Sequence, residues 1–201
     1  MSLSVSNQIR AWLVDDWQWP YATLFAAGGL LAIAPVWFHV AGLPLTLVYL
    51  QLPIYMLHQW EEHRSDRFRL YVNRMVGGGR EALTPIATFW INSLGVWAVD
   101  LVALYLAVFV DVGFGLIAIY LPLLNALGHV GPGIAKRAYN PGLWTALLLF
   151  LPVGGWSAAV VSQASPGWEW HFIGVAVAVG VHAAILIHVA RRLKRLRASG
   201  I

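Results

Sequence analysis

The chain has 201 residues, of which 59% are hydrophobic and only 11% are charged, and its mean hydropathy is +0.68. Because soluble domains carry about 25% charged residues, this composition excludes an ordinary soluble domain and indicates a polytopic membrane protein. The absence of cysteine excludes disulfides and thiolate metal sites.

The apolar segments predict an all-α, polytopic membrane helix bundle. A helix that crosses the hydrocarbon needs about 20 apolar residues. Residues 1–18 are too polar for this and are predicted to form an interfacial amphipathic segment. Residues 19–190 are predicted to form a domain of six transmembrane helices, and residues 191–201 a basic cytoplasmic tail. The predicted helices lie at about 21–40, 45–60, 86–109, 116–129, 143–161 and 169–189.

Glycine and proline mark the predicted connections. Gly42-Leu43-Pro44 is predicted to form a tight turn between the first two helices. Residues 61–84 are polar, basic and rich in glycine, which predicts a loop that contains a short interfacial helix. Gly131-Pro132-Gly133 and Asn140-Pro141-Gly142 are predicted to bracket a second basic loop, between the fourth and fifth helices.

The basic residues give an independent test of this topology. All 13 lysines and arginines fall in the N-terminal segment, the two basic loops and the C-terminal tail, and the three other connections contain none. Since short cytoplasmic loops retain positive charge, we expect both termini to be cytoplasmic. The net charge of +4 is therefore a topology signal, and we expect contacts with membrane lipids and no nucleic-acid partner.

Polar residues collect in one layer near the predicted cytoplasmic boundary. The second helix ends in His58-Gln59-Trp60-Glu61-Glu62-His63, where the spacing places both carboxylates beside the His58 imidazole. His63 points elsewhere and is predicted to lie among the lipid head groups. The other helices add Asn92, Asn125, His129 and His182 at the same depth. Ionisable residues within membrane spans are costly and mark a functional site.

Imidazole and carboxylate groups on neighbouring helices can bind one metal ion. His58, one of the two glutamates and His129 would form a two-histidine, one-carboxylate set, which suits Zn²⁺ hydrolysis or non-haem Fe(II) chemistry. We assign Glu62 as the ligand and Glu61 as the general acid or base, and the sequence leaves the reverse assignment open. The predicted catalytic residues are thus His58, Glu61 and Glu62. The residues predicted to orient or bind the substrate are Asn92, Asn125, His182 and Asn140.

The motif His58-Gln59-Trp60-Glu61-Glu62 resembles the signature of the HXXEE family of small bacterial integral membrane proteins. Asn92 and the segment Tyr139-Asn140-Pro141-Gly142-Leu143-Trp144-Thr145-Ala146 are also similar to that family's pattern. The resemblance covers residues 25–190, approximately. It implies importance for His58, Glu61 and Glu62, and it implies no particular reaction.

Three functions fit the polar layer. The first is a metal-dependent membrane enzyme, a hydrolase in preference to an Fe-dependent oxidoreductase, acting on a lipid or other hydrophobic small molecule. The second is a proton or metal-ion transporter, which would need polar residues continuing to the outer face. The third is a structural or accessory subunit whose polar network only fixes helix packing. A homo-oligomer is compatible with all three.

Overall fold

The computed structural model describes residues 5–199, and within this range the chain forms helices and connecting turns without any strand. A short helix, α1 (Val5–Arg10), continues as a π-helical turn at Ala11–Asp15. The remaining helices are α2 (Trp19–His63), α3 (Arg67–Met75), α4 (Pro85–Phe109), α5 (Leu116–Lys136), α6 (Leu143–Ala164) and α7 (Trp168–Ala198).

The helix α2 folds back on itself at Gly42. This residue has φ 75° and ψ 179°, a left-handed backbone conformation that glycine adopts without steric cost. The Tyr49 hydroxyl donates a hydrogen bond of 2.6 Å to the Leu30 carbonyl, and its ring stacks on Trp37 at 5.1 Å. The arms 19–41 and 43–63 are therefore antiparallel, which confirms the turn predicted at this glycine.

Five helical segments in the described part of the chain are long and apolar enough to cross a membrane. They lie at Trp19–Met75, Pro85–Phe109, Val112–Lys136, Leu143–Ala164 and Trp168–Ala198. The first of them contains both arms of α2. The predicted all-helical architecture of a membrane protein is therefore supported, with two predicted helices joined in one folded-back segment.

Two predicted boundaries are wrong. The sequence Gly131-Pro132-Gly133 was expected to begin a loop, but α5 continues through it to Lys136 and ends where Arg137 adopts a φ of 48°. Helix-forming residues follow Pro132, and a proline inside a membrane helix is tolerated because neighbouring groups satisfy the freed carbonyl. The helix α2 likewise extends through His63, three residues into the predicted loop. The rest of that loop contains a 3-10 turn at Arg64–Asp66, the predicted short helix α3 and irregular backbone at 76–84.

The helix α5 lies at the centre of the bundle and packs against α2, α4, α6 and α7. Small residues allow these close approaches: a methyl group added at Gly174 of α7 would lie 2.8 Å from the Leu116 carbonyl oxygen, and one at Gly154 would lie 2.8 Å from Leu123. Central position and close packing bury the face of α5 that carries His129.

Candidate metal centre

His58, Glu62 and His129 meet at one end of the bundle. One helical turn separates His58 from Glu62 on α2, so both side chains lie on the same face. His129 reaches them from α5, and the two imidazole rings are 4.9 Å apart. All three side chains are buried, and one ligand atom from each lies within 4.8 Å of the other two. The predicted ligand set is therefore close enough to hold one metal ion.

The His129 ring presents a lone pair to this centre. The Asn140 side-chain amide donates 2.8 Å to the His129 carbonyl, which orients its Oδ1 toward the ring. His129 Nδ1 lies 3.0 Å from that oxygen and donates to it. Because Nδ1 carries the proton, Nε2 of the neutral ring is an acceptor, and it lies 3.5 Å from Glu62 Oε1.

The His58 ring is oriented in the same way by a hydroxyl group. The Thr145 hydroxyl donates 2.6 Å to Glu61 Oε2 and therefore accepts at 2.7 Å from His58 Nδ1. Nε2 of His58 then carries the lone pair and lies 3.5 Å from Glu62 Oε2. The Asn125 amide nitrogen lies 3.3 Å from the same Nε2 and can donate to this lone pair when no ion is bound.

The three candidate ligand atoms lie within 4.8 Å of one another, close enough to hold one metal ion. The two 3.5 Å nitrogen–oxygen distances end on different oxygens of Glu62, and both are longer than an ordinary hydrogen bond. Ordinary N–H···O bonds are about 2.7–3.2 Å long. Most metal-binding histidines donate the N–H of the ring nitrogen that does not bind the metal to a fixed acceptor, as Nδ1 does in both of these rings. The donor set of two imidazoles and one carboxylate suits Zn²⁺ or Fe²⁺.

Glu61 makes different contacts from Glu62. Its carboxylate accepts hydrogen bonds from the Tyr139 hydroxyl at 3.0 Å, the Trp144 amide at 3.2 Å, and the Thr145 amide and hydroxyl at 2.7 and 2.6 Å. The two amides belong to the first turn of α6, where an anion is favourable. Glu61 therefore fixes the start of α6 and, through Thr145, the His58 ring. Its predicted acid/base role stays a prediction.

His63 was expected among the lipid head groups, and the structure places it inside. Its side chain is 1% exposed and packs against the rings of Trp19 and Phe68 at 4.9 and 5.4 Å. Its Nε2 lies 3.0 Å from Glu62 Oε2, an ordinary hydrogen-bond length. The error has a physical cause: helical spacing alone did not show that Trp19, on the other arm of α2, packs on this imidazole.

Gly142 closes the site from the side of α6, a role that the sequence analysis missed. It has a φ of +97°, and a methyl group added there would lie 2.7 Å from Cε1 of both His58 and His129. Only a residue without a side chain fits against the two rings at this position. The signal available in the sequence was the Asn140-Pro141-Gly142 turn beside a predicted site residue.

A cavity of about 310 Å³ lies next to the three candidate ligands. Glu62 and His129 form part of its wall, together with the predicted residues Asn92, Asn125 and His182. Most of the remaining wall is apolar and comes from α4 and α7, for example Val96 and Val181. The predicted Asn140 does not line this cavity, since its amide is engaged with His129.

A second buried network ties α2 to α4 beside the cavity. The Gln59 side chain, fully buried, donates 2.9 Å to Asn92 Oδ1 and accepts 2.6 Å from Trp97 Nε1. Asn92 completes the network by donating 2.9 Å to the Thr88 carbonyl. Each of these hydrogen bonds joins a donor to an acceptor, so the network needs no further group. Gln59 and Trp97 were not among the predicted site residues.

The fold and the site define a class: a helical protein with the apolar segments of a polytopic membrane protein and a buried cluster of two histidines and one carboxylate that can hold a metal ion. The particular family follows from comparison with known proteins. The family model described as a protein of unknown function with HXXEE motif matches residues 49–157, more than half of the chain, and the chain belongs to this family. No curated protein and no solved structure matches it. The resemblance identified from the motif is confirmed.

Proposed function

We propose that this protein is an integral membrane, metal-dependent enzyme that acts on a lipid or other hydrophobic substrate. The observation that carries the proposal is the convergence of His58 Nε2, His129 Nε2 and the Glu62 carboxylate beside a largely apolar cavity. Both imidazoles are held from behind by fixed acceptors, so the lone pairs point at one place. Two histidines and one carboxylate leave coordination positions open, as catalytic sites require.

Each nearby residue has a role in this proposal. His58, Glu62 and His129 hold the ion, and Glu61 orients His58 through Thr145. When bound, Zn²⁺ or Fe²⁺ would polarise a substrate oxygen. Asn92, Asn125 and His182 contact the polar part of the substrate, while the apolar wall receives its hydrocarbon and excludes water. We favour hydrolysis over oxidation because di-iron oxidation sites use more carboxylates than this cluster has.

The topology proposed with this function has six crossings and cytoplasmic termini in a bacterial inner membrane. The antiparallel arms of α2 supply two crossings and the four later helices one each. All basic residues then lie on the cytoplasmic side. We retain residues 1–18 as the interfacial segment, 19–190 as the transmembrane domain and 191–201 as the basic tail. A lipid substrate would enter from the inner leaflet, and a homo-oligomer is compatible with this arrangement.

A proton or metal-ion transporter is the alternative. Asp100 favours it, because this carboxyl on α4 is 2% exposed and has no hydrogen-bond partner among residues 5–199. His39, another ionisable residue that a path toward the outer face could use, is exposed on the outside of α2. A polar path across the bundle would therefore need water molecules between Asp100 and the outer face. The third function, a structural subunit, accounts for Gln59 and Asn92 but assigns nothing to the converging lone pairs.

Metal content of the detergent-purified protein tests the proposal. We expect about one Zn or Fe per chain by mass spectrometry of the protein as purified, and the identity of the metal found there decides between hydrolysis and oxidation. His129→Gln should abolish loading while the protein stays monodisperse. His171→Gln is the matched control, since that imidazole is bound to Tyr120 and Ser162 away from the site. A well-folded wild type that takes up neither ion would contradict the metalloenzyme.

A further inference from the structure

A second pocket, of about 370 Å³, lies on the other side of Glu61 from the metal centre. It is lined by three aromatic residues, Trp60, Tyr139 and Trp144, and by two arginines, Arg64 and Arg67, together with Glu61 and Thr145. Trp144 and Tyr139 are 58% and 45% exposed, so the pocket opens at the surface of the bundle. Neither arginine was singled out by the sequence, where both belong to a general excess of basic residues.

The chain turns sharply to bring the two guanidinium groups into one pocket. After α2 ends at His63, Ser65 and Asp66 adopt φ values of 55° and 58°, and α3 begins at Arg67. Consecutive left-handed residues other than glycine are sterically costly and are kept where the surrounding structure requires them. Here the turn reverses the chain within three residues and directs Arg64 and Arg67 to the same side.

The two arginines lack a neutralising carboxylate. No Asp or Glu oxygen of residues 5–199 lies within 4.0 Å of either guanidinium group, whereas Arg69 pairs with Glu81 at 3.0 Å. Arg67 donates one hydrogen bond to the Glu61 carbonyl, and its buried Nε has no partner in the same range. Arg64 lies over the Trp60 ring at 4.6 Å. The carboxylate that lines the pocket, that of Glu61, already accepts four hydrogen bonds.

We propose that this pocket binds the phosphate group of an anionic membrane phospholipid. Guanidinium groups match phosphate oxygens with paired, charge-assisted hydrogen bonds, and basic pockets between membrane helices bind lipid head groups. The exposed Trp144 and Tyr139 rings at the rim favour a lipid over free phosphate, because amphipathic rings lie at the level of the head groups and the adjoining chains. This site is separate from the proposed catalytic cavity and does not depend on a metal.

Native mass spectrometry of the full-length protein in detergent tests the proposal, with phosphatidylglycerol as the probe. We expect the dissociation constant of the first bound lipid to rise about tenfold or more in the Arg64→Gln, Arg67→Gln variant, because two charged hydrogen-bond donors are removed. The matched control is Arg74→Gln, Arg197→Gln, which removes the same charge from exposed positions on α3 and α7. We expect that control to change the constant by less than about twofold.

Three outcomes would overturn the proposal. Equal weakening in both double variants would show diffuse attraction to the basic end of the protein. Displacement of the lipid by millimolar inorganic phosphate would assign the pocket to the free anion. Unchanged binding in the pocket variant would exclude the site. If that double variant does not fold, Arg64→Gln alone decides the question, since the Arg64 side chain makes no hydrogen bond or ion pair with residues 5–199 and lies over the Trp60 ring at 4.6 Å. Arg64→Lys should recover part of the affinity.

Discussion

Replacement of Gly142 by alanine should destroy the metal centre without unfolding the protein. The new methyl group would lie 2.7 Å from Cε1 of both His58 and His129, where carbon atoms normally stay about 3.5–4.0 Å apart. The φ of +97° adds a second cost, since alanine in a left-handed conformation loses about 1–2 kcal/mol. The rings must therefore move or the loop must lift away.

The expected loss of metal affinity follows from how little metal–ligand distances can change. Relief of the two contacts needs shifts of about 1 Å, against a tolerance of about 0.2 Å in metal–ligand distances. Disturbing the support of metal ligands lowers affinity by about 10–100-fold, and moving two ligands at once should reach the upper end of that range. The cost in stability, about 1–3 kcal/mol, is within what a folded domain can lose.

Chelator competition on the detergent-purified protein measures the metal affinity. The Gly79→Ala variant separates the two effects of Gly142→Ala, which are the contacts with the two imidazole rings and the strain of a left-handed alanine. Gly79 also has a left-handed backbone, with φ +88°, but a methyl group there meets nothing within 4 Å. The Gly79→Ala variant should be less stable than the wild type and should bind metal as tightly. A Gly142→Ala variant that binds Zn or Fe as tightly as the Gly79→Ala control would refute the placement of the glycine against both ligands.

Three further predictions test the surroundings of the site. Thr145→Val should weaken metal binding about 10–100-fold by removing the hydroxyl between His58 and Glu61, and Thr145→Ser should restore it; equal affinities in a chelator titration would contradict the relay. Gln59→Leu should cost about 1–3 kcal/mol in thermal unfolding but leave metal affinity unchanged, and loss of metal would refute the separation of the two networks. Burial and the Glu61 carboxylate raise the pKa of Tyr139, so its contribution to stability is complete below a pH of about 10 and is lost as pH rises through the raised pKa. The difference in stability between wild type and Tyr139→Phe should therefore shrink above that pH, and a constant difference would contradict this.

The parts of the site that depend on helical periodicity and depth were predictable. His58 and Glu62 are one turn apart in the sequence, and this alone places them on one face of α2. His129 was reached by counting crossings, which put it at the same depth on another helix. The turn at Gly42 followed from local glycine and proline chemistry. None of these inferences required knowledge of which helices touch.

The remaining parts depend on tertiary contacts. Thr145 and Gly142 contact the site because the loop before α6 folds back over the end of α2, and no local pattern indicates that return. His63 is buried by Trp19, a partner 44 residues earlier in the sequence. The continuation of α5 through Gly131–Gly133 was not predicted because glycine and proline usually break helices in water. In an apolar environment the helix is maintained by the need to satisfy every backbone group.

The two buried networks of α2 differ in how their polar groups are satisfied. Gln59 joins helices with two hydrogen bonds of 2.9 and 2.6 Å, each with a donor and an acceptor, and its chemistry is complete. One residue earlier, His58 donates from Nδ1 and turns a lone pair toward a carboxylate 3.5 Å away, and His129 does the same from the opposite side. At His63 the separation from the same carboxylate is 3.0 Å, an ordinary hydrogen-bond length. The separations at His58 and His129 are longer, and these two imidazoles and the Glu62 carboxylate are the groups that we propose hold a metal ion.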